Sequence, residues 1–205
     1  MMVEKIMANE NVVLNEEQKN KMIFELEKKF SDIVDILRFD KTDPQMEGSP
    51  KRIAKMYVNE LFAGNYSTEP NMTVFPNTRE YDEMVFLGPI EVKSMCSHHW
   101  VPFTGNAYIA YIPGDKVVGI SKLARIVKWF MKRPQIQEEL TCQIADYITE
   151  KLNPLGVAVH IEATHLCMVM RGVKEHKEAQ MKTSDLRGAF RENLSTRNEF
   201  YNMIK

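Results

Sequence analysis

The sequence predicts an α+β protein: two N-terminal helices, then a domain of order ββααββ with two helices on one face of an antiparallel sheet. Three observations predict it. Apolar residues recur at helical spacing up to Phe62, the segments after Glu83 are rich in Val, Ile, Phe and Tyr, and two further helix-period stretches separate the strand pairs.

The first helix starts at Asn15-Glu16-Glu17-Gln18, where Asn is suited to cap and Gln, three residues on, to return the capping hydrogen bond. Met22, Ile23, Leu26, Phe30, Ile33, Val34 and Leu37 then give one apolar face. A second helix is predicted from Ser49-Pro50, with Ser as cap and Pro in the first helical position, carrying Ile53, Met56, Tyr57, Leu61 and Phe62 up to Gly64. Residues 65–80, with Asn65, Pro70, Asn71, Pro76 and Asn77, read as a linker. The division predicted is a helical region and linker over 1–80 and a second domain over 81–205. In that domain Met84–Met95 and Gly105–Ile112 read as strands, and Pro113-Gly114-Asp115 as a turn. Leu123, Ile126, Val127 and Phe130 mark one helix; Ile136, Leu140, Ile144, Tyr147, Ile148 and Leu152 mark the next, ended by Asn153-Pro154 and Gly156. Val157–Met170 reads as a long strand, Gln180–Phe190 as a weaker one, and Thr196–Ile204 as a short closing helix.

Composition narrows the function classes. The 205 residues are 44% hydrophobic and 27% charged, ordinary for a globular chain, and the formal net charge of −1 gives no global attraction to nucleic acid or an anionic membrane. The longest apolar runs, such as Ala107–Pro113, are far short of a membrane span, and the N-terminal residues hold no apolar core of signal-peptide length. Three cysteines do not suggest a disulfide framework. The expectation is a cytoplasmic protein with free or metal-bound thiolates.

Chemistry concentrates in Met95-Cys96-Ser97-His98-His99-Trp100. In a turn, Cys96 and His99 converge on one ion; in an extended strand, Cys96 and His98 share a face and His99 points away. The choice depends on whether the strand has ended by Cys96. Alternation from Val157 places His165 and Cys167 next to each other on one strand face, so a thiol–imidazole pairing occurs a second time. A lone Cys is ordinarily a small hydrophobe and a lone His a satisfied polar group, but a repeated pairing of this kind suits zinc. Two thiolates and one neutral imidazole balance the dication and leave a place for water, with the remaining histidines free for proton transfer. Cys142, in a helix without a nearby His, reads as structural, and His160 and His176 have no assigned role.

Two further groups accompany this set. Ser121, Lys122, Arg125, Lys128, Lys132 and Arg133 form a basic stretch without an intervening acid. Lys122 and Arg125 are one turn apart near a helix start, where phosphate is favoured, Ser121 is a candidate cap, and Arg171 adds to the same field. Gln137-Glu138 offers a carboxylate able to accept two parallel N–H bonds, the pattern of the guanine N1–H and 2-amino edge.

In this order, the segments SPKRIAKMYVNELFAG, SMCSHHWVPFTGNAYIAYIP, VGISKLARIVKWFMKRPQIQEELTCQIADYI, GVAVHIEATHLCMVMRG and STRNEFYNMI resemble those of the GTP cyclohydrolase I family, from about Asp43 to the C-terminus. The resemblance implies the tunnelling fold and a homodecamer of two facing pentamers with active sites at subunit boundaries. It implies one Zn2+ per subunit, held by Cys96, His99 and Cys167, with His98 and His165 as catalytic histidines. It also implies guanine anchoring by Gln137 and Glu138, and phosphate or ribose contacts from Ser121, Lys122, Arg125 and Arg171. Arg52 and Lys55 would reach in from a neighbouring subunit. The reaction implied is hydrolysis of GTP at C8, release of formate, Amadori rearrangement and closure to 7,8-dihydroneopterin triphosphate, with no redox cofactor. Ser97 stands where the family usually has Glu, and Trp100 where it often has Leu or Phe; the lead-in Asp43–Gly48 is shorter than usual. The alternatives are another enzyme of the same fold acting on a guanine-like substrate through a cysteine nucleophile, or a non-catalytic zinc-stabilised assembly.

Overall fold

In a computed structural model, which describes residues 5–205, the chain divides into two compact units, one ending at Thr68 and the other spanning Glu69–Lys205.

The first unit is helical. Helix α1 (Glu16–Ile36) begins with the expected capping box: Asn15 accepts from the Gln18 backbone and Gln18 returns a bond to the Asn15 backbone. Helix α2 (Ser49–Met56) continues through a π-helical turn (Tyr57–Leu61), and a short helix α3 (Ala63–Tyr66) follows. Gly48, in a left-handed conformation at φ 70°, holds the capping position expected for Ser49, and the Ser49 hydroxyl instead accepts from Arg52 Nη2 at 2.8 Å. Ile23, Ala54 and Val58 make a small core with Met22, Leu26 and Phe30 against it, while Ile33 and Leu37 of the expected apolar face stay exposed. The start of the expected linker is tied down rather than loose. Buried Asn65 donates to Ala8 O and Glu10 O, and Asn11 donates to the carbonyls of Gly64, Asn65 and Ser67. An amide side chain serves here as a backbone clasp, which composition alone does not distinguish from a loop residue.

The second unit is built on the five-stranded sheet β5-β2-β3-β6-β7. Its strands are β2 (Val85–Cys96), β3 (Pro102–Ile112), β5 (Pro134–Gln135), β6 (Gly156–His165) and β7 (Met181–Gly188). A separate antiparallel pair joins β1 (Val74–Pro76), within the stretch 65–80, to β4 (Lys116–Val118), which follows β3 in the chain. All ladders of the large sheet are antiparallel except the short β2–β5 edge, where Met95 and Cys96 face Pro134 and Gln135. Helices α4 (Ile120–Phe130) and α5 (Gln137–Leu152) supply Leu123, Ile126, Leu140, Ile144 and Ile148 to the core on one sheet face. The order ββααββ is therefore present. Ala110 and Ala158 on the other face pack with Phe190 and Phe200, from α7 (Ala189–Glu192) and α8 (Leu194–Ile204).

One strand prediction fails in a way that matters for the site. The expected strand Val157–Met170 stops at His165 and gives way to a helical turn, α6 (Leu166–Val169). On the β3 side the last paired residue is Phe103, opposite His165; on the β7 side it is Met181, opposite Ala163. Beyond these the backbone has no ladder partner, so the alternation of apolar residues through Val169 has no sheet to act in. His165 and Cys167 consequently come together across a strand–helix junction, not as next neighbours on a strand face.

Candidate active site

Strand β2 delivers Cys96 at its last position, where it is buried, and the chain then turns through Ser97-His98-His99. The turn is closed at both ends: Trp100 N donates to Cys96 O at 2.9 Å and Cys96 N donates to Val101 O at 3.0 Å. Trp100 takes φ 51°, the left-handed region that lets β3 start at Pro102. The strand therefore ends at Cys96 and a turn follows it. His98 and His99 are both exposed on this turn, with His98 Nδ1 3.7 Å from Cys96 Sγ.

Opposite the turn stand His165 and Cys167. Ligand atoms of Cys96, His165 and Cys167 all lie within 4.8 Å of one another, the one such metal-competent trio among the described residues. Burial, with the adjacent Cys96 thiol next in size, pushes the Cys167 thiol above its usual range. Two thiols this close resist becoming two anions unless a cation sits between them, and a bound dication reverses that preference. The donor set thus fits zinc: soft sulfur twice, imidazole, and room for one ion. The family resemblance pairs the thiols with His99; the trio gathered here contains His165, while His99 lines the same cavity.

The His165 ring is held by its protein neighbours. It stacks on Phe103, centroids 4.7 Å apart and planes within 11°, and its Nε2 lies 2.9 Å from Gln137 Oε1. Burial lowers its basicity below the ordinary histidine value, keeping the ring neutral over a wider pH range. Gln137, wholly buried at the start of α5, turns its amide nitrogen towards Ile161 O, Met181 O and Thr183 Oγ1 at 3.0–3.1 Å. Its side chain is committed within the protein. Glu138, the next residue, is exposed to the cavity.

The cavity, of about 500 Å³, runs from Cys96, His98 and His99 past Gln137 and Glu138 to His165, Cys167 and Arg171. Among the described residues that line it, Glu138 is the one carboxylate and Arg171 the one guanidinium. Ile136, the first residue of the apolar series predicted for α5, gives it an apolar wall together with Met168 and Val173, which sequence periodicity did not single out.

The α4 residues do not line this cavity. Ser121 and Arg125 are exposed and Lys122 half-buried, on a helix whose capping position is Gly119, so Ser121 sits inside the first turn and does not cap it. Arg133, grouped with them in sequence, is buried, with its guanidinium 4.2 Å from the Trp129 ring and bonded to Gln143 Oε1; burial lowers its pKa to about 10. Arg52 binds Glu47 O and Ser49 Oγ within the first unit, and Lys55 is exposed one turn further on. Cys142 is exposed and apart from the metal-competent trio. His160 is buried against Ser184, its Nδ1 2.7 Å from the hydroxyl.

A family model described as GTP cyclohydrolase I matches residues 26–205. The chain belongs to the GTP cyclohydrolase I family. Its match to the GTP cyclohydrolase I model begins within α1, upstream of Asp43, where the resembling segments start. The chain is 50% identical over 165 residues to a GTP cyclohydrolase 1 of Sulfurihydrogenibium sp., covering 79% of this chain and 86% of that one. It is 52% identical over 167 residues to that of Carboxydothermus hydrogenoformans, covering 79% and 85%. A longer alignment, to GTP cyclohydrolase 1 of Aliivibrio salmonicida, is 41% identical over 197 residues and covers 96% and 88%. Among the described residues no helix is long and apolar enough to cross a membrane.

Proposed function

We propose that the protein is a cytoplasmic zinc-dependent hydrolase that converts GTP and water to 7,8-dihydroneopterin triphosphate and formate. The observation that carries this reading is the meeting of the Cys96–His165–Cys167 cluster with a lone carboxylate, Glu138, in one cavity. When bound, zinc supplies a water acidic enough to yield a nucleophile near neutral pH. Glu138 accepts N1–H and the 2-amino group of guanine, which turns C8 towards the cysteines. Two waters are consumed, one opening the imidazole ring and one releasing formate, and one is returned on closure of the pterin ring. His98 and His165 carry the protons, giving one to each ring nitrogen as its bond to C8 breaks.

In this reading Cys96, Cys167 and His99 hold the zinc. Four protein donors would close a tetrahedron, so a catalytic site requires one of the two histidines, His99 or His165, to remain outside it. His165 is already fixed by its stack and its bond to Gln137, as suits a group that faces substrate. His99 is three residues from Cys96 on a tight turn, a spacing that suits two ligands of one ion. Arg171 takes a phosphate at the cavity mouth. Ser121, Lys122 and Arg125, with Arg52 and Lys55, complete the triphosphate contacts from adjacent subunits of a decamer built from two pentamers.

The test is incubation of the zinc-loaded protein with GTP, followed by assay of formate and of the fluorescent oxidised pterin. Stoichiometric formate is expected. A folded, zinc-replete oligomer that releases none would overturn the reading and leave a non-catalytic assembly.

A further inference from the structure

Behind His165 lies a chain of buried and half-buried polar groups whose directions follow one from another. Thr141 Oγ1 is 2.8 Å from the carbonyl of Gln137, and a carbonyl only accepts, so the single Thr141 proton points there. Thr141 Oγ1 is also 2.7 Å from Thr183 Oγ1, and that contact must then use the Thr183 proton. Thr183 is left with lone pairs facing Gln137 Nε2 at 3.1 Å. Ile161 O and Met181 O, each 3.0 Å from the same nitrogen, are acceptors as well. Three acceptors on one side of the amide admit only its NH2 end, with one proton shared. Gln137 Oε1 is thereby turned to His165 Nε2, and since an amide oxygen only accepts, the ring proton is on Nε2.

We propose that Gln137 is a positioning residue that fixes neutral His165 as the Nε2–H tautomer, leaving Nδ1 as the one ring atom able to receive a proton. The stack on Phe103 holds the ring plane while the amide holds its tautomer. This deepens the proposed function, on which its kinetic consequence rests, and it changes the part played by Gln137. A wholly buried side chain whose NH2 is spent on Ile161, Met181 and Thr183 and whose oxygen faces His165 has no donor free for guanine, so recognition of the base falls to Glu138.

The structural part is tested without substrate or metal. In the metal-free protein labelled with 15N-histidine at pH 8, His165 is expected to show a protonated Nε2 and a lone-pair Nδ1, its signals assigned by their loss in His165→Gln. The opposite tautomer, or shifts averaged between the two, would overturn the proposal. The kinetic part uses Gln137→Leu in the zinc-loaded enzyme. A positioning role lowers kcat by about 10²-fold, the scale of a lost proton-transfer group, with KM for GTP within about threefold of the parent. A raised KM at unchanged kcat would mean that Gln137 binds the base, and would also overturn the proposal. If Gln137→Leu does not fold, the spectrum of the unsubstituted protein still decides. If the parent releases no formate, the functional reading fails while the tautomer stands or falls on its own.

Discussion

Replacing Gly105 by alanine should damage the fold and the site together. Gly105 faces Ala163 across the β3–β6 ladder, two residues from the Phe103–His165 pair. A Cβ built there would lie 1.9 Å from Glu162 O and 2.6 Å from Ala163 Cα, where ordinary contact begins near 3.4 Å. The strands would therefore have to part locally by about 1.5 Å, enough to break neighbouring ladder bonds of about 2.9 Å. Two lost backbone bonds at about 1 kcal/mol each, with about 1–3 kcal/mol for overpacking, give about 3–5 kcal/mol. This is a large part of the stability of a typical domain. Equilibrium unfolding in urea measures it, with Gly119→Ala as the control, since a Cβ there meets only Lys122 Cγ at 3.8 Å and Phe75 Cε2 at 4.0 Å. The control is expected within about 1 kcal/mol of the parent, the usual scale of a lost capping preference. A Gly105→Ala protein as stable as the control would refute the reasoning, because it would mean that β3 and β6 can separate at no cost.

Three other outcomes are expected. His99→Ala should lose stoichiometric zinc while His165→Ala keeps it and loses turnover, as metal analysis beside the formate assay would show; the reverse would make the Cys96–His165–Cys167 trio the ligand set. Glu138→Gln should retain zinc and fold but lose about 10²-fold or more in kcat/KM for GTP, since a carboxylate accepting two N–H bonds becomes a group presenting a donor; an unchanged ratio would remove Glu138 from base recognition. His160, packed with Ser184, Tyr108 and Tyr201 and flanked by Glu162 and Lys182, has its pKa lowered chiefly by burial. Its stabilising contribution is therefore present above the ordinary histidine value of about 6.5 and lost as pH falls below it; His160→Gln should flatten that part of the stability–pH curve, and an unaltered slope would show that His160 is not its source.

Local chemistry was the legible layer. Asn15 and Gln18 form the capping box their spacing predicts, because capping involves only near neighbours in the chain. The four helix-face residues Leu123, Ile126, Val127 and Phe130 are all buried, because a 3.6-residue period maps one face of α4 onto one neighbour. The cysteines and histidines also stood out, since few other side chains bind zinc. The end of β6 was not legible: the apolar alternation continues to Val169, but the ladder partners stop at Phe103 and Met181. Nor was the fate of Arg133, which sits in a basic stretch yet stacks on Trp129 in the interior, because a charge pattern says nothing about which residues of a helix end turn inward.

By itself, the amino-acid order determined the fold class, the pair of thiols, the surplus of histidines and the family. These depend on residue identity and short-range period. The tertiary structure alone brought His165 beside the two thiols, and Gln137 to His165. Both follow from register: the antiparallel pairing of β3 with β6 sets Phe103 under His165, and the packing of α5 on the sheet brings Gln137 to Ile161, Met181 and Thr183. The partners of Gln137, 24 to 46 residues away, are matched only when the strands have paired, and nothing in either segment alone states the match.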